Sequence, residues 1–353
     1  MKVHRSYDLV GASAPPLPVV LALGSIDGVH LGHELLLAEV RFWAQVHAAE
    51  AWVGSFHPHP RVVLAPDSQP PFLISLEDKL ARFESLGMAG VWLAPFDREI
   101  AASSPKEFIL KLLTAFPGCK AIVIGENWRF GKGAVGCPES LARLGEELGF
   151  EVKTVGLLEV SGESVSSSRI RELIQAGELA SVEPLLGRAY SLRGDVVHGK
   201  KIGRQIGFPT ANVKTSGEQL LPPPGIYATE VCFLTNEAAQ GATQEPTQEA
   251  TQEAAQGGTQ EATQGAGEDM WLPAAGYVSS AMAEADTVEV HLLDWSGDCY
   301  GQRLQVRFLS RLREDAEFTS EAALIAQIRK DVVATGDFFR KREICTLHDD
   351  ADE

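Results

Sequence analysis

The hydrophobic positions of this chain follow two rhythms in turn. From residue 17 to about residue 158, short apolar runs alternate with stretches whose apolar residues recur every three or four positions. The run VVLAL at 19–23 ends in glycine and predicts a buried strand. Leu36, Val40 and Trp43 then recur at helical spacing, which places a helix from about His33. Residues 52–56, 91–93, 121–125 and 151–155 read as further strands. Helix starts lie between them: Ser75 ahead of Leu76, Leu80 and Phe83, Ser104 ahead of Pro105, and a helix over about 140–148. Serine satisfies free N–H groups of a first turn, and proline suits the first helical position. Repeated strand–helix units with apolar strands imply an α/β domain with a doubly wound parallel sheet, which binds ligands at the carboxyl ends of its strands.

After about residue 185 the helical rhythm fades. Short β-like runs at 226–233, 288–293 and 304–309, set among Gly and Pro turns, predict an antiparallel β-barrel. Leu324, Ile325, Ile328 and Val332 then mark an amphipathic C-terminal helix over about 320–333. The expected division is residues 1–184 and residues 185–353, with a low-complexity insert at about 235–269. Within that insert, residues 238–265 repeat tetrapeptides of the kind ATQE and AAQG, almost without large apolar side chains. Such a segment cannot offset the entropy of ordering, so it reads as a disordered insertion at a hairpin tip; the alternative is a partner-binding arm. Long loops add little closure entropy, so deletion of 238–265 is expected to leave both domains active, as assayed on the purified deletion variant.

Composition narrows the function. The 353 residues carry a formal net charge of −17, which argues against nucleic-acid partners but leaves room for one nucleotide held by backbone N–H groups and a few cations. The five cysteines are scattered and form no CxxC pair, which fits a reducing cytoplasm. The apolar run at 17–23 is too short to span a membrane. The expected partners are small-molecule substrates, with no membrane, no nucleic acid and at most a weak homo-oligomer.

Two segments carry chemistry. The first, GSIDGVHLGH at 24–33, joins a strand to a helix. Its glycines let backbone N–H groups approach a polyphosphate, and the helix start adds positive potential. His30 and His33 can face one anion, as nucleotidyl transfer requires, because catalysis there is positioning plus charge stabilisation. Two other readings stand beside this one: a zinc site drawn from His30, His33, His57 and His59, and a structural role for both loop histidines. The second segment, GKKIGRQIGFPTAN at 199–212, combines glycines, cations and a PTAN tail. Its bland reading is a solvated hairpin. Thr210 and Asn212, two apart on an extended chain, can instead offer hard oxygens to Mg²⁺ while residues 199–203 fold over ATP phosphates. Strand alternation puts Val288, Val290 and Leu292 on one face and Glu289 and His291 on the other, where a solvated Glu289 is the bland reading.

These motifs resemble those of the bacterial bifunctional riboflavin kinase/FAD synthetase family. GSIDGVHLGH is similar to its HxGH signature, FHPHPR at 56–61 to its F-x-P-H-P-R segment, GENWRFG at 125–131 to its G-x-[ND]-F-x-F-G loop, and SSSRIR at 166–171 to its S-S-T-x-I-R motif. The second segment resembles the flavokinase signature, and the likeness resumes at 221–222, 225–228, 288–294, 300–301 and 327–331. The resemblance implies an HxGH-type nucleotidyltransferase domain followed by a flavokinase-type barrel. It implies ATP-dependent phosphorylation of riboflavin to FMN, then adenylylation of FMN to FAD, with Mg²⁺. It places Gly24, Asp27, His30, Gly32, His33, Asn127, Arg129, Ser167, Ser168 and Arg171 at the adenylylation site. It places Gly199, Lys201, Gly203, Gly207, Pro209, Thr210 and Asn212 at the kinase site, with Glu289 as its base. Ile26 and Ser168 stand where relatives carry Phe and Thr; for the serine triplet alone, a helix N-cap is the competing reading. Where relatives carry N-I-G-x-R-P-T, residues 274–280 read AAGYVSS, without the Arg and Pro. Two alternatives follow from that departure: an adenylyltransferase with a degraded kinase half, and a flavin-binding module without turnover.

Overall fold

The computed structural model describes residues 1–7, 18–68, 70–199, 202–234, 270–279 and 286–349. The chain divides into two compact units, Met1–Gln175 with Ser181–Arg188 and Glu218–Leu220, and Ala176–Ala180 with Ala189–Gly217 and Leu221–Glu353.

In the first unit β1 (Lys2–His4), β2 (Val19–Leu23), β3 (Glu50–His57), β4 (Gly90–Pro95), β5 (Cys119–Gly125) and β6 (Glu151–Val155) form one sheet in the order β1-β4-β3-β2-β5-β6. Every pairing in it is parallel. Successive side chains of a strand point to opposite faces, and both faces are covered. Leu21, Trp52 and Ile122 pack with Phe108 and Leu112 of helix Pro105–Ala115 and Leu141 of helix Pro138–Leu148. Val20, Val53 and Val123 pack with Leu37 and Val40 of helix Leu31–Val46 and Phe83 of helix Leu76–Ser85. The sheet is therefore doubly wound. Its order reverses between β2 and β5, and the carboxyl ends of those two strands flank the crevice where such sheets bind ligands. Ser104 and Glu107 form the expected capping box, and Ser75 caps helix Leu76–Ser85. The short hairpin β7 (Glu159–Val160) and β8 (Glu163–Ser164) precedes helix Ser167–Ala176.

In the second unit β9 (Tyr190–Val197), β10 (Ala211–Lys214), β11 (Gly225–Leu234), β12 (Leu272–Val278), β13 (Thr287–Leu292) and β14 (Arg303–Glu314) close an antiparallel barrel, ordered β10-β13-β12-β11-β14-β9. Leu192, Val213, Tyr227, Val288, Val290, Val306 and Phe308 fill it, each buried. The strands alternate inward and outward positions, so Glu289 and His291 lie on the outer face. The repeat lies outside the described residues; β11 and β12 on either side of it are neighbours, paired through Val231 and Leu272.

Helix Glu321–Asp349 packs on β11, β12 and β14 and is longer than the expected 320–333. A fork of hydrogen bonds fastens it: Arg313 Nε and Nη2 donate to the two carboxylate oxygens of buried Asp331 at 2.8 and 2.6 Å, and Gln327 Nε2 donates to Oδ1 at 2.9 Å. Asp331→Ala leaves that guanidinium half-buried without its partner. We expect a loss of about 2–4 kcal/mol in unfolding free energy by urea titration, against a much smaller loss for Asp331→Asn.

Two candidate active sites

The first site grows from the loop after β2. His30 caps helix Leu31–Val46, its Nδ1 accepting from the His33 N–H at 3.3 Å. The two imidazoles stack with centroids 3.6 Å apart and planes 18° from parallel. A Cβ on Gly32 would lie 3.2 Å from the His30 ring, so the bare glycine lets that ring fold back over the turn. Gly28, at φ 81°, and buried Val29, at φ 43°, bring the chain through the left-handed region. A β-branched residue pays about 1–3 kcal/mol to sit there. Arg188 holds the strained turn by donating to the carbonyls of Gly28 at 2.5 Å and Val29 at 2.9 Å.

Helix Ser167–Ala176 closes on the same loop. Ser167 Oγ donates to the Asp27 carbonyl at 2.9 Å. Arg171 ion-pairs with the Asp27 carboxylate and donates to Pro71 O at 2.9 Å, while Leu73 N–H reaches both Asp27 oxygens at 3.1 Å. Burial pushes the Asp27 carboxyl up against the opposing pull of Arg171. The serine triplet splits its work: Ser166 Oγ accepts from the Arg169 N–H at 3.2 Å as a cap, Ser167 ties the loop, and Ser168 is exposed. Gly24, Asp27, His30, Gly32, His33, Ser167 and Arg171 are thus drawn into one neighbourhood. Asn127 and Arg129 are exposed on the loop after β5, across the switch point. A narrow slit at the strand ends is lined by Gly24, Ser55 and Trp128, and Trp128 stacks on Phe130 at 4.5 Å.

Two cations here carry no signal in the sequence. Lys79 and Arg188 stand alone in the chain, and a lone cation on a helix or loop reads as solvated. Lys79 is half-buried; its Nζ donates to buried Ser55 Oγ at 3.3 Å at the end of β3. Burial lowers its pKa while Asp27 opposes the shift, and its charge adds to the burial that lowers His33, His57 and His59. Burial and Arg188 push His30 down to about 4, and burial, His30 and Lys79 push His33 well below the usual histidine range. Both rings are neutral near pH 7. His33 Nδ1 is buried without a partner. Two face-to-face rings do not converge on a metal, and no group of three His, Cys, Asp or Glu among the described residues is arranged to hold one.

The neutral His30 makes stability depend on pH. Unfolded, it titrates near 6.5; folded, at about 4. Between those values the unfolded chain holds the extra proton, so stability falls as pH drops through that window. At pH 5 the His30 share of this loss is about 2 kcal/mol relative to pH 8. Urea titrations of the ligand-free protein at both pH values should show wild type losing more than His30→Asn by roughly that amount; equal losses would count against a neutral His30.

The second site lies on the outer face of the barrel. Asn212 on β10 sits opposite Glu289 on β13, and Thr210 Oγ1 donates to Glu289 Oε2 at 3.3 Å. Burial raises the Glu289 carboxyl while the Thr210 hydroxyl pulls it down. Gly199 lies against the Asn212 amide, where a Cβ would come within 2.5–2.7 Å of it. Gly203 packs on the turn at Phe208 and Thr210, and Gly207 takes φ 88°. Pro209 O accepts from His291 Nδ1 at 2.8 Å, which sets that ring's tautomer. Beside Thr210 and Asn212 opens a cavity of about 290 Å³, also lined by Arg204, Trp295, Asp298 and Tyr300. Lys201 lies outside the described residues. The cavity-lining segment 295–300 was not singled out in the sequence beyond Tyr300, because it carries no periodic or motif signal.

Fold and sites together fit a two-domain transferase: a parallel sheet with a Gly–His loop at its switch point, and a closed barrel with a half-buried carboxylate near a cavity of about 290 Å³. Comparison with known proteins is more specific. Residues 13–169 match the FAD synthetase family model and residues 186–339 the riboflavin kinase model. Bifunctional riboflavin kinase/FMN adenylyltransferases are similar along most of the chain. The Escherichia coli protein is 32% identical over 93% of this chain and 95% of its own. The Listeria monocytogenes protein is 31% identical over 92% and 93%, and the Bacillus subtilis protein 31% over 88% and 90%. A solved structure from Streptococcus pneumoniae, described as a macrolide-efflux protein, shares the fold with a TM-score of 0.76 at 24% identity, covering 95% of this chain and 99% of that one. The chain belongs to the bifunctional riboflavin kinase/FMN adenylyltransferase family. No described helix is long and apolar enough to cross a membrane.

Proposed function

We propose that this chain makes FAD in two steps: riboflavin and ATP give FMN and ADP in the barrel, and FMN and a second ATP give FAD and pyrophosphate in the α/β unit. The observation that carries this reading is the match of both family models, in order, on the two compact units.

In the α/β unit, backbone N–H groups of the loop at 24–33 and neutral His30 and His33 receive the ATP phosphates. Lys79 and Arg171 add positive charge, with Asp27 and Ser167 holding Arg171 and the loop in place. Asn127 and Arg129 face the nucleotide and the flavin phosphate from across the switch point, and Ser168 offers its hydroxyl to the phosphates from the opposite side. The attacking FMN phosphate is largely ionised near pH 7, its second pKa being about 6, so no general base is needed.

In the barrel, Glu289 takes the proton of the attacking ribityl hydroxyl; its raised pKa brings it closer to the working pH. The Thr210 hydroxyl and Asn212 amide oxygen are hard donors beside the cavity and fit Mg²⁺ held jointly with nucleotide oxygens. When bound, that ion neutralises charge on the phosphates. We assign the turn at Gly199, Gly203, Gly207 and Pro209 and the cation of Lys201 to those same phosphates. We place the protein in the cytoplasm, acting on small molecules without nucleic acid, as at most a weak homo-oligomer, with the boundary of its two domains in the chain at residues 184–185.

The test is to supply riboflavin or FMN separately, with ATP and Mg²⁺, and separate the flavins. Riboflavin should yield FMN and FAD, and FMN should yield FAD. Conversion of FMN alone would leave an adenylyltransferase with an inactive barrel; conversion of neither would overturn the reading.

A further inference from the structure

The departure from N-I-G-x-R-P-T falls on β12, beside the carboxylate of the kinase site. Asn212, Glu289 and Tyr277 occupy one register line across three adjacent strands, Asn212 opposite Glu289 and Glu289 opposite Tyr277. Neighbouring strands lie about 4.8 Å apart, and all three side chains stand on the outer face, where their own strands alternate with buried neighbours. Glu289 is therefore flanked by Asn212 with Thr210 on one side and by Tyr277 on the other. The Tyr277 hydroxyl donates to Asp315 Oδ1 at 3.2 Å, just past the end of β14, and the Ser279 hydroxyl also bonds to it. Tyr277 and Ser279 both belong to the divergent segment.

The two flanks differ in chemistry. The Asn212 flank opens on the cavity with Arg204 and the hard oxygens, which suit a nucleotide. In phosphoryl transfer the entering and leaving oxygens lie roughly in line on opposite sides of the phosphorus. With the nucleotide on the Asn212 flank, the acceptor alcohol must reach Glu289 from the Tyr277 flank. There a phenol, a carboxylate and a serine hydroxyl form a cluster of oxygens able to accept and donate to a polyhydroxyl chain, beside an aromatic face.

The geometry points to Tyr277, held by Asp315 and Ser279, as the residue that binds the acceptor's ribityl chain in a barrel that lacks its relatives' Arg–Pro pair at this strand end. This inference rests on reading the barrel as a riboflavin kinase. Tyr277 touches substrate but takes no part in proton transfer, so its loss acts on acceptor binding.

The experiment compares wild type, Tyr277→Phe and Asp315→Asn in the full chain, measuring KM for riboflavin, KM for ATP, kcat and melting temperature. We expect riboflavin KM to rise about tenfold in each variant, with ATP KM and kcat within about twofold, and adenylylation of supplied FMN unchanged. An unchanged riboflavin KM in folded Tyr277→Phe overturns the inference. So does a fall in kcat, or a parallel rise in both KM values, since either marks a structural role. If wild type forms no FMN, the kinase reading fails by itself. Riboflavin fluorescence quenching then decides on Tyr277: a weaker Kd in Tyr277→Phe supports it, and an equal Kd overturns it.

Discussion

Glu289→Gln should reduce FMN formation from riboflavin by about 10²–10⁴-fold in kcat while leaving adenylylation of supplied FMN at the wild-type rate. The substitution keeps the shape of the side chain and an oxygen to accept the Thr210 hydroxyl, so the local register of β10 and β13 is preserved. What it removes is the basicity that a positioned carboxylate contributes, and 10²–10⁴-fold is the usual range for that contribution. The pH profile gives a second readout. Burial raises the Glu289 pKa, and the base works only when ionised, so wild-type kcat should fall as pH drops through that raised value. In Glu289→Gln that acidic limb disappears. A loss of less than tenfold, or an acidic limb that survives, would remove Glu289 from the role of base.

His33→Ala should do the reverse. Its Nδ1 is buried without a partner and its ring is neutral near pH 7, so in the ligand-free protein it contributes little hydrogen-bond energy. In the proposed reaction it acts on the charge that builds on phosphate oxygens as pyrophosphate departs. Losing one donor preorganised for such charge costs about 10²–10³ in kcat. FAD formation from FMN should fall by that factor, with riboflavin phosphorylation untouched. Because both histidines start neutral, the wild-type adenylylation rate should not drop between pH 6 and 8 through their titration; the FMN phosphate, ionising near about 6, should govern the acidic side instead. Loss of both activities in a folded His33→Ala protein would contradict two separate sites.

Much of the architecture was legible because strand burial writes itself into composition. β2 and β5 are apolar along almost their whole length, since both faces of the sheet are covered, and the capping signals at Ser75 and Ser104 marked helix starts correctly. β1 was not legible: three residues, Lys-Val-His, offer no alternation, and the strand is recruited by pairing with β4. The helix after the first loop begins at Leu31, ahead of the expected His33, because His30 itself serves as the cap. The last helix outruns its apolar stripe because Asp337, Arg340 and Lys341 continue it in solvent, where no hydrophobic periodicity is required. The sites show the same division. Gly24, His30 and His33 cluster in sequence and were visible there. Lys79 reaches Ser55 at the end of β3 from a helix, and Arg188 reaches the loop from a turn far along the chain, only through the fold, so no spacing announces them. Tyr277 falls at a variable position of an altered motif and carries no signal of its own, and only the register of β12 on β13 shows that it stands beside Glu289.

The central claim is that one chain performs both transfers, each with a different phosphate of ATP. The most direct measurement supplies riboflavin with ATP labelled either at the γ- or at the α-phosphorus and follows label into separated flavins. Two sites in series predict γ-label appearing first in FMN and then in FAD, and α-label appearing in FAD alone. An absence of γ-label from every flavin, or of α-label from FAD, would contradict the account.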